Sequence, residues 1–428
     1  MGGLEPLQSR VKHNLHGDYI SDLPDDLKQE IFLKLLIKDV VRTSILSSKW
    51  KDSWTSIPTL AFAQKSTDSK LIKLVDNVLM VHCGPILNFK LFLKHPCNEA
   101  MGRWMLILSR NGVRSFDLRC SGDEKCKIPS RFFSCVALEW VLMSCCIINA
   151  PRTFQGFKLL RTIGLENCNL IGISIGNLVS CCPLLEKLGL HKFIHQGCLH
   201  ILAPNLIQLY LYGEFHDICI ETPKLTFGSI GLYSRNRDYK KSIAKKEGKE
   251  SNITRVLGYL HNIQKLHVIE DFIDYLAMGP IPENPPTIFY ELTEIDVPLC
   301  CSVQDKIAAA FCLFKSAPNL KKLRIEFLYY GGEDQLPAQI LSKLKATEGC
   351  LFKCLEIVNI VHVQNNVLLA KWMLEFAKLV LNTAPVLQKL NVINFEDATF
   401  FTKLECFPKL SKKAEIASVK NDKDWLIM

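Results

Sequence analysis

The tightest constraint on what this chain can fold into is a short phrase that returns in register. It reads "CPLLEKLGL" from Cys182, "APNLIQLYL" from Ala203, "APNLKKLRI" from Ala317 and "APVLQKLNV" from Ala384. Each copy is a small residue, a proline, and then aliphatic side chains at the fourth, seventh and ninth places. Proline disfavours helix in the residue before it, so it ends whatever helical turn precedes. The last aliphatic places alternate with other residues, the pattern of a short strand with one buried face. Copies without the proline stand at Val113-Phe116-Leu118, Leu138-Val141-Met143, Leu160-Ile163-Leu165, Ile263-Leu266-Val268, Leu292-Ile295-Val297 and Leu355-Val358-Ile360. One such phrase means little, but this many in register predict a single supersecondary unit repeated along the chain.

At 428 residues the chain exceeds the length over which one globular core keeps growing, which leaves several domains or an elongated array. The period decides for the array. It drifts from roughly 20 to nearly 40 residues and matches leucine-rich repeats, in which a strand and a helix per turn stack into a curved solenoid. Cys168, three places after Leu165, falls on the Asn/Cys position of that pattern. "QDKIAAAFCLFKSAP" and "LLAKWMLEFAKLVLNTAP" each predict a helix of several turns directly before a repeat proline, with apolar residues recurring at three and four. Hydrophobic content of 48% with 22% charged residues fits a packed chain rather than long disorder.

Ahead of the repeats, "YISDLPDDLKQEIFLKLL" at Tyr19 to Leu36 carries more apolar surface than one helix face holds. Leu23, Leu27, Ile31 and Leu35 form a stripe of the kind that packs into a core, and Phe32, Leu33 and Leu36 fall off it. In "IKDVVRTSILSSKWKDSW", Asp39 can cap a helix start, Val41 and Ile45 share a face, and Leu46, Trp50 and Trp54 recur every fourth residue. Residues 19–60 are therefore expected to form a compact unit of two or three helices, ended at Pro58. Such a unit is too small to bury Phe32, Leu33, Leu36, Trp50 and Trp54 by itself, and the excess predicts an interface.

This segment resembles the F-box: Leu23-Pro24 opens it, Leu27, Ile31 and Leu35 form its aliphatic ladder, and "RTSILS" and "KWKDSW" follow. Nearly the whole chain is similar to the plant version, in which an F-box precedes degenerate leucine-rich repeats and a C-terminal module called FBD. Two positions depart from the family: Leu36 stands where a second proline is common, and the Gly and acidic residue often seen before the last FBD helix are absent around "VQNNVLLA". The resemblance implies an α/β chain with a flexible N-terminus at 1–17, a small helical F-box at 18–60, an irregular leucine-rich-repeat solenoid at 80–350 and an FBD-like region at 351–428 continuing the repeats. It further implies a non-catalytic adaptor without cofactor or metal. In the family the F-box docks onto the Skp-type adaptor, and through it a cullin, while the repeats hold a target protein for ubiquitination in nucleus or cytoplasm.

Family positions that touch the adaptor correspond to Leu23, Pro24, Ile31, Leu35, Val41, Leu46 and Trp50, some of which must also serve as internal core. Pro24 as a rigid wedge and Trp50 as a large aromatic anchor are the expected hot spots. On this reading the fourfold stripe packs inward or beside the next helices, and Phe32, Leu33 and Leu36 belong against the adaptor or the repeats. The alternative is a leucine-rich-repeat scaffold or binding protein without a ubiquitin-ligase role.

Other chemistries leave weaker traces. A net charge of +9 mildly favours an acidic partner. Its densest run, "SRNRDYKKSIAKKEGKE" at Ser234 to Glu250, reads as a solvated loop, a nuclear-import signal or a nucleic-acid patch. Tyr239 alone interleaves it, so nucleic acid is not the expected partner. The opening "MGGLEPLQSRVKHNLHGDYI" has neither an apolar core nor a cleavage site, so the 18 cysteines are expected to be reduced thiols. "FFSCVALEWVLMSCCIINA" at Phe132 to Ala150 approaches the length of a membrane span, but Glu139 sits in it and Leu138, Val141 and Met143 belong to the repeat. His191, His195, Cys198 and His200 offer zinc-ligand types, with loop or surface histidines as the plainer reading. A catalytic cysteine would need a base and a lowered pKa. No G-x-x-x-x-G-K-[ST], G-x-G-x-x-G or H-E-x-x-H occurs.

Overall fold

A computed structural model describes residue 20 and residues 22–35, 37–63, 67–233, 251–301, 303–328, 352–362 and 367–420. The terminus at 1–17, Leu36 and the basic run at 234–250 lie outside the described residues. Among the described residues, fourteen strands form one sheet, paired in parallel and placed in the order in which they occur along the chain. That arrangement is a solenoid: each turn contributes one strand to this sheet and pairs only with the turns before and after it, and three turns add a second strand, Cys126–Ile128, Cys146–Asn149 and Asn169–Ile171, to a smaller parallel sheet.

The recurring phrase explains each turn. The carbonyl of its first residue accepts a hydrogen bond from the N–H of its fourth, at 3.1 Å for Cys182 and Leu185, 3.2 Å for Ala203 and Leu206, and 3.1 Å for Ala317 and Leu320. Proline in the second place presets the backbone for that turn. Where an asparagine stands third, its side-chain amide reaches one turn back. Asn205 donates to the Pro183 carbonyl at 2.9 Å, and Asn319 to the Tyr290 carbonyl at 2.9 Å. Asn262 does the same with the Pro223 carbonyl at 2.6 Å. The fifth residue then links the turns. Its carbonyl accepts two N–H groups from the next turn, as Arg161 does from Glu186 and Lys187 at 2.8 and 2.9 Å, and Glu186 does from Ile207 and Gln208 at 2.8 and 3.0 Å.

The aliphatic triplets read from the sequence lie on strands with their seventh- and ninth-place side chains buried, among them Phe116 and Leu118 on Ser115–Cys120 and Leu323 and Ile325 on Lys322–Leu328. Three further turns follow the same spacing, Ile57-Leu60-Phe62, Ile86-Phe89-Leu91 and Leu225-Gly228-Ile230 on strands Thr59–Phe62, Asn88–Leu93 and Phe227–Leu232, and a last strand, Glu415–Val419, sets Ile416 beside Leu390 and Ser418 beside Val392. The ladder therefore starts directly behind the N-terminal helices. The two expected helices stand at Gln304–Ser316 and Val367–Thr383 and close one side of the sheet, with Phe327 against Phe376 at 5.7 Å. In the earlier turns a ladder of rings fills that layer: Phe62, Phe89, Phe116, Phe132 and Phe157 follow one another at 5.7, 5.9, 5.5 and 5.4 Å.

Two other sequence readings meet their structures here. Residues 132–150 hold the end of a short 3-10 turn and the strands Trp140–Ser144 and Cys146–Asn149 rather than a spanning helix. No helix among the described residues is long and apolar enough to cross a membrane. His191, His195, Cys198 and His200 lie on one strand, Lys187–Leu202, so they share no helix face, and no cluster of three metal-ligating groups occurs among the described residues. Lys192, at φ 52°, is skipped in the pairing of that strand with Gln208–Glu221. This bulge turns Phe193 inward, parallel to Phe215 at 6.1 Å, and brings it so close to Gly213 that a Cβ there would lie 2.5 Å from the Phe193 carbonyl oxygen.

One ionic network ties strand Gln208–Glu221 to the helices behind it. Asp217 accepts from Arg255 Nη1, Tyr275 Oη and the Ile218 N–H, each at 2.7 Å. Burial alone would raise the Asp217 carboxyl, but the hydrogen bonds from Tyr275, Ile218 and Arg255 outweigh it and hold the pKa below its ordinary value. The folded pKa lies under the unfolded one, so the stabilisation is complete above the unfolded value and is lost as pH falls through the folded one. Asp217→Ala is expected to lower stability by about 2 kcal/mol at neutral pH. In denaturant titrations the gap to the unaltered chain should close as pH drops below about 4; a gap independent of pH would remove the charge from the explanation.

Candidate functional site

The N-terminal unit is built from two helices and irregular turns. α1 (Asp25–Leu33) follows Pro24, carries Asp25 and Asp26 in its first turn, and precedes α2 (Ile37–Arg42). The helix expected to run on to Trp54 stops at Arg42 and gives way to 3-10 turns at Thr43–Ile45 and Ser53–Ser56. Hydroxyls take backbone carbonyls in this stretch: Thr43 Oγ1 donates to the Val40 carbonyl at 2.7 Å and Ser53 Oγ to the Lys49 carbonyl at 2.9 Å. Such bonds compete with the helix ladder.

The inward face of α1 is not the fourfold stripe. Lys28 and Phe32 are its buried residues, whereas Leu27 is 49% and Ile31 38% exposed. Phe32 meets Trp50 edge to face at 5.4 Å, and the Lys28 ammonium lies 6.0 Å from the Trp50 ring while pairing with Asp25 at 3.0 Å. Trp50 is 2% exposed and its Nε1 donates to the Ile20 carbonyl at 2.8 Å. The expectation that the stripe packs inward or beside the next helices holds for Leu23 and Leu35 and fails for Leu27 and Ile31, while Phe32, expected off the core, lies in it. Lys28 is buried with its ammonium answered by the exposed Asp25, yet a hydrophobicity pattern scores it as part of a polar face.

The seven residues named from the resemblance are thus divided. Trp50 is internal, the keystone of the unit rather than a free anchor. Leu23, Leu35 and Val41 are half-buried against the core. Pro24, Ile31 and Leu46 are exposed, and Leu27, Leu33, Ile20 and Ile45, which the resemblance did not single out as contacts, are exposed beside them in sequence. Ile45, at 87%, is the most exposed large apolar side chain of the unit. The Ser44 and Ser47 hydroxyls on either side of Ile45 and Leu46 are buried without a hydrogen-bond partner among the described residues. An apolar patch over unsatisfied polar atoms can be completed by a second protein surface.

The second surface is the face of the sheet that carries no helix among the described residues. On it, successive turns set side chains in rows, because each strand pairs in register with the next: Thr162, Lys187, Gln208 and Phe227 in one row, Gly164, Gly189, Tyr210 and Ser229 in another. The buried thiols lie in the opposite layer, where burial pushes Cys135 and Cys312 up to about 11. Cys168 Sγ donates to the Met143 carbonyl one turn back, at 3.4 Å, so this cysteine bonds backbone as the repeat position requires.

With this geometry in hand, the relatives are informative. The F-box domain family model matches residues 20–61, and the model described as the leucine-rich repeats of the FBD-associated F-box protein At5g56370 matches residues 101–325. The chain is 31% identical over 426 residues to the F-box/FBD/LRR-repeat protein At1g13570 of Arabidopsis thaliana, covering 93% of this chain and 98% of that one. It is 26% identical to the FBD-associated F-box protein At5g56370 and 25% identical to the F-box/FBD/LRR-repeat protein At5g56420, both of Arabidopsis thaliana. Each of these alignments covers 72% of this chain, with 75% of the first relative and 76% of the second.

The division between core and surface has a direct test. Trp50→Ala is expected to cost about 3 kcal/mol and Ile45→Ala less than about 0.5 kcal/mol. Hydrogen–deuterium exchange over residues 22–57 should rise sharply in the first variant and stay unchanged in the second.

Proposed function

This chain belongs to the plant F-box/FBD/LRR-repeat family, and we propose that it works as the substrate-recognition subunit of a Skp, cullin and F-box ubiquitin ligase. The observation that carries this reading is the exposed apolar set Leu27, Ile31, Leu33, Ile45 and Leu46 on a unit that otherwise has its own closed core around Phe32 and Trp50. Burying apolar surface from water drives protein association, and a Skp-type adaptor is the partner that an F-box takes. Pro24, Ile31 and Leu46 are the contact residues by exposure, and Leu23, Leu35 and Val41 support them from beneath. Through the adaptor the chain reaches a cullin, and the second surface, on the repeats, presents a target protein to the transfer machinery. The chain itself then contributes binding and placement, with the bond chemistry done elsewhere in the complex, in nucleus or cytoplasm.

Co-expression of the full chain with a plant Skp-type adaptor is expected to give a stable complex on size exclusion. Ile31→Asp with Leu46→Asp should abolish it while leaving the melting temperature of the isolated chain within a few degrees, since both side chains lie outside the closed core around Phe32 and Trp50. A chain that remains soluble and uncomplexed without these changes would defeat the ligase reading and leave a leucine-rich-repeat binding protein.

A further inference from the structure

Glycine inside a strand weakens it and often marks a close backbone approach or a bound group. Two glycines stand side by side on the second surface, Gly164 paired with Gly189 across neighbouring strands. Gly164 has an internal reason: a Cβ there would lie 2.1 Å from Leu142 Cδ2, because Leu142 of the preceding turn leans over it. Gly189 has none. A Cβ on Gly189 would meet nothing nearer than the Gly164 Cα and the Ile163 carbonyl oxygen, both at 3.8 Å. The result is a hollow of about 550 Å³ whose lining includes the Gly189 floor, Leu142 and Tyr210 as walls, and Lys187 and His191 along the same strand.

The walls define what fits. Tyr210 is the register neighbour of Gly189, and its ring is held by Phe227 at 4.9 Å, which in turn meets His267 at 5.0 Å. On the other side of the floor, His191 stacks on Tyr212 at 4.8 Å and Tyr212 leans on Tyr233 at 5.5 Å. The rings flanking Gly189 are thus set in place, and Gly189 is the rung with no side chain. A planar apolar group placed there would lie against the Tyr210 ring and the Leu142 methyls.

The charges define what surrounds it. Glu166 is answered by Lys192 at 3.3 Å and His191 at 3.4 Å, and Arg119 by Asp117 at 3.0 Å. Lys187 pairs with no carboxylate among the described residues, so the uncompensated charge beside the hollow is positive.

We propose that this hollow seats one aromatic side chain of an acidic peptide segment in a partner protein, with Lys187 meeting a carboxylate next to that ring. The proposal rests on the reading of the repeats as the half that holds a target, and it narrows that reading to one place and one chemistry. Its physical content is the pairing of a preformed apolar seat, open at Gly189, with a lysine free to answer an acidic neighbour.

The test pans random dodecapeptides displayed on phage against the purified full chain and measures the enriched peptides by fluorescence polarisation. The expected consensus is a single Trp, Tyr or Phe flanked by Asp and Glu. Gly189→Leu, whose side chain enters open space, should retain the melting temperature and weaken binding by about tenfold or more, and Lys187→Glu should do likewise. Raising salt should weaken the unaltered chain more than Lys187→Glu. If Gly189→Leu fails to fold, Lys187→Glu still decides. Absence of enriched peptides, a consensus without an aromatic residue or with basic flanks, or binding indifferent to both substitutions would overturn the proposal. Peptide binding needs no adaptor, so this outcome is independent of whether the co-expression complex forms.

Discussion

The structure depends on one repeated hydrogen-bond arrangement, a carbonyl that accepts two N–H groups from the following turn. It begins at Pro58, which takes Leu87 and Asn88 at 2.8 and 2.9 Å, and recurs to Glu356, which takes Gln388 and Lys389 at 2.8 and 3.1 Å. A buried backbone group left unpaired is costly, so every turn has to meet its predecessor at this point whatever its length. The insertions that make the period irregular are thereby pushed to the rest of each turn, where helices such as Gln304–Ser316 and Val367–Thr383 absorb them. The strands keep register, and the exposed side chains keep their rows.

The same arrangement joins the N-terminal helices to the repeats. Pro58 is at once the residue that ends the helical unit and the first acceptor of the ladder, and Ile57 and Leu60 on either side of it are buried. Leu33 at the end of α1 also lies beside Thr59, Asn88 and Trp140 of the first turns. Were the proposed adaptor and target to bind at opposite ends of such a connection, the distance between them would be set by turns of sheet rather than by a loop.

What was legible in the sequence follows from which forces write a pattern. The turn and the strand are local, so "APNL" and its aliphatic alternation can be read directly, and ten turns were placed from it. Four were missed because the pattern tolerates weak letters: Gly228 holds an aliphatic slot beside the Ile263 and Leu266 methyls, the last strand sets a serine, Ser418, beside Val392, and Ile57-Leu60-Phe62 was absorbed into the helical unit ahead of it. The N-terminal site was half legible. Its apolar excess was evident, but the inward face of α1 was assigned to the wrong residues because Lys28 is buried despite its charge, and the helix after Arg42 ended where hydroxyls captured its carbonyls. The hollow at Gly189 was not legible at all, since it comes from the register of Leu142, Gly164 and Tyr210, residues far apart in the chain.

The row structure of the exposed face has an evolutionary consequence. Each turn meets only its neighbours, and the residues that hold turns together, the first, fourth, fifth, seventh and ninth of the phrase, are distinct from those that face outward, the sixth, eighth and tenth. A lineage can therefore replace outward letters one turn at a time with little change to the scaffold, the way type is reset in a fixed frame. Duplicated genes built on this plan would be free to exchange partners while inheriting the same connection to the machinery they serve.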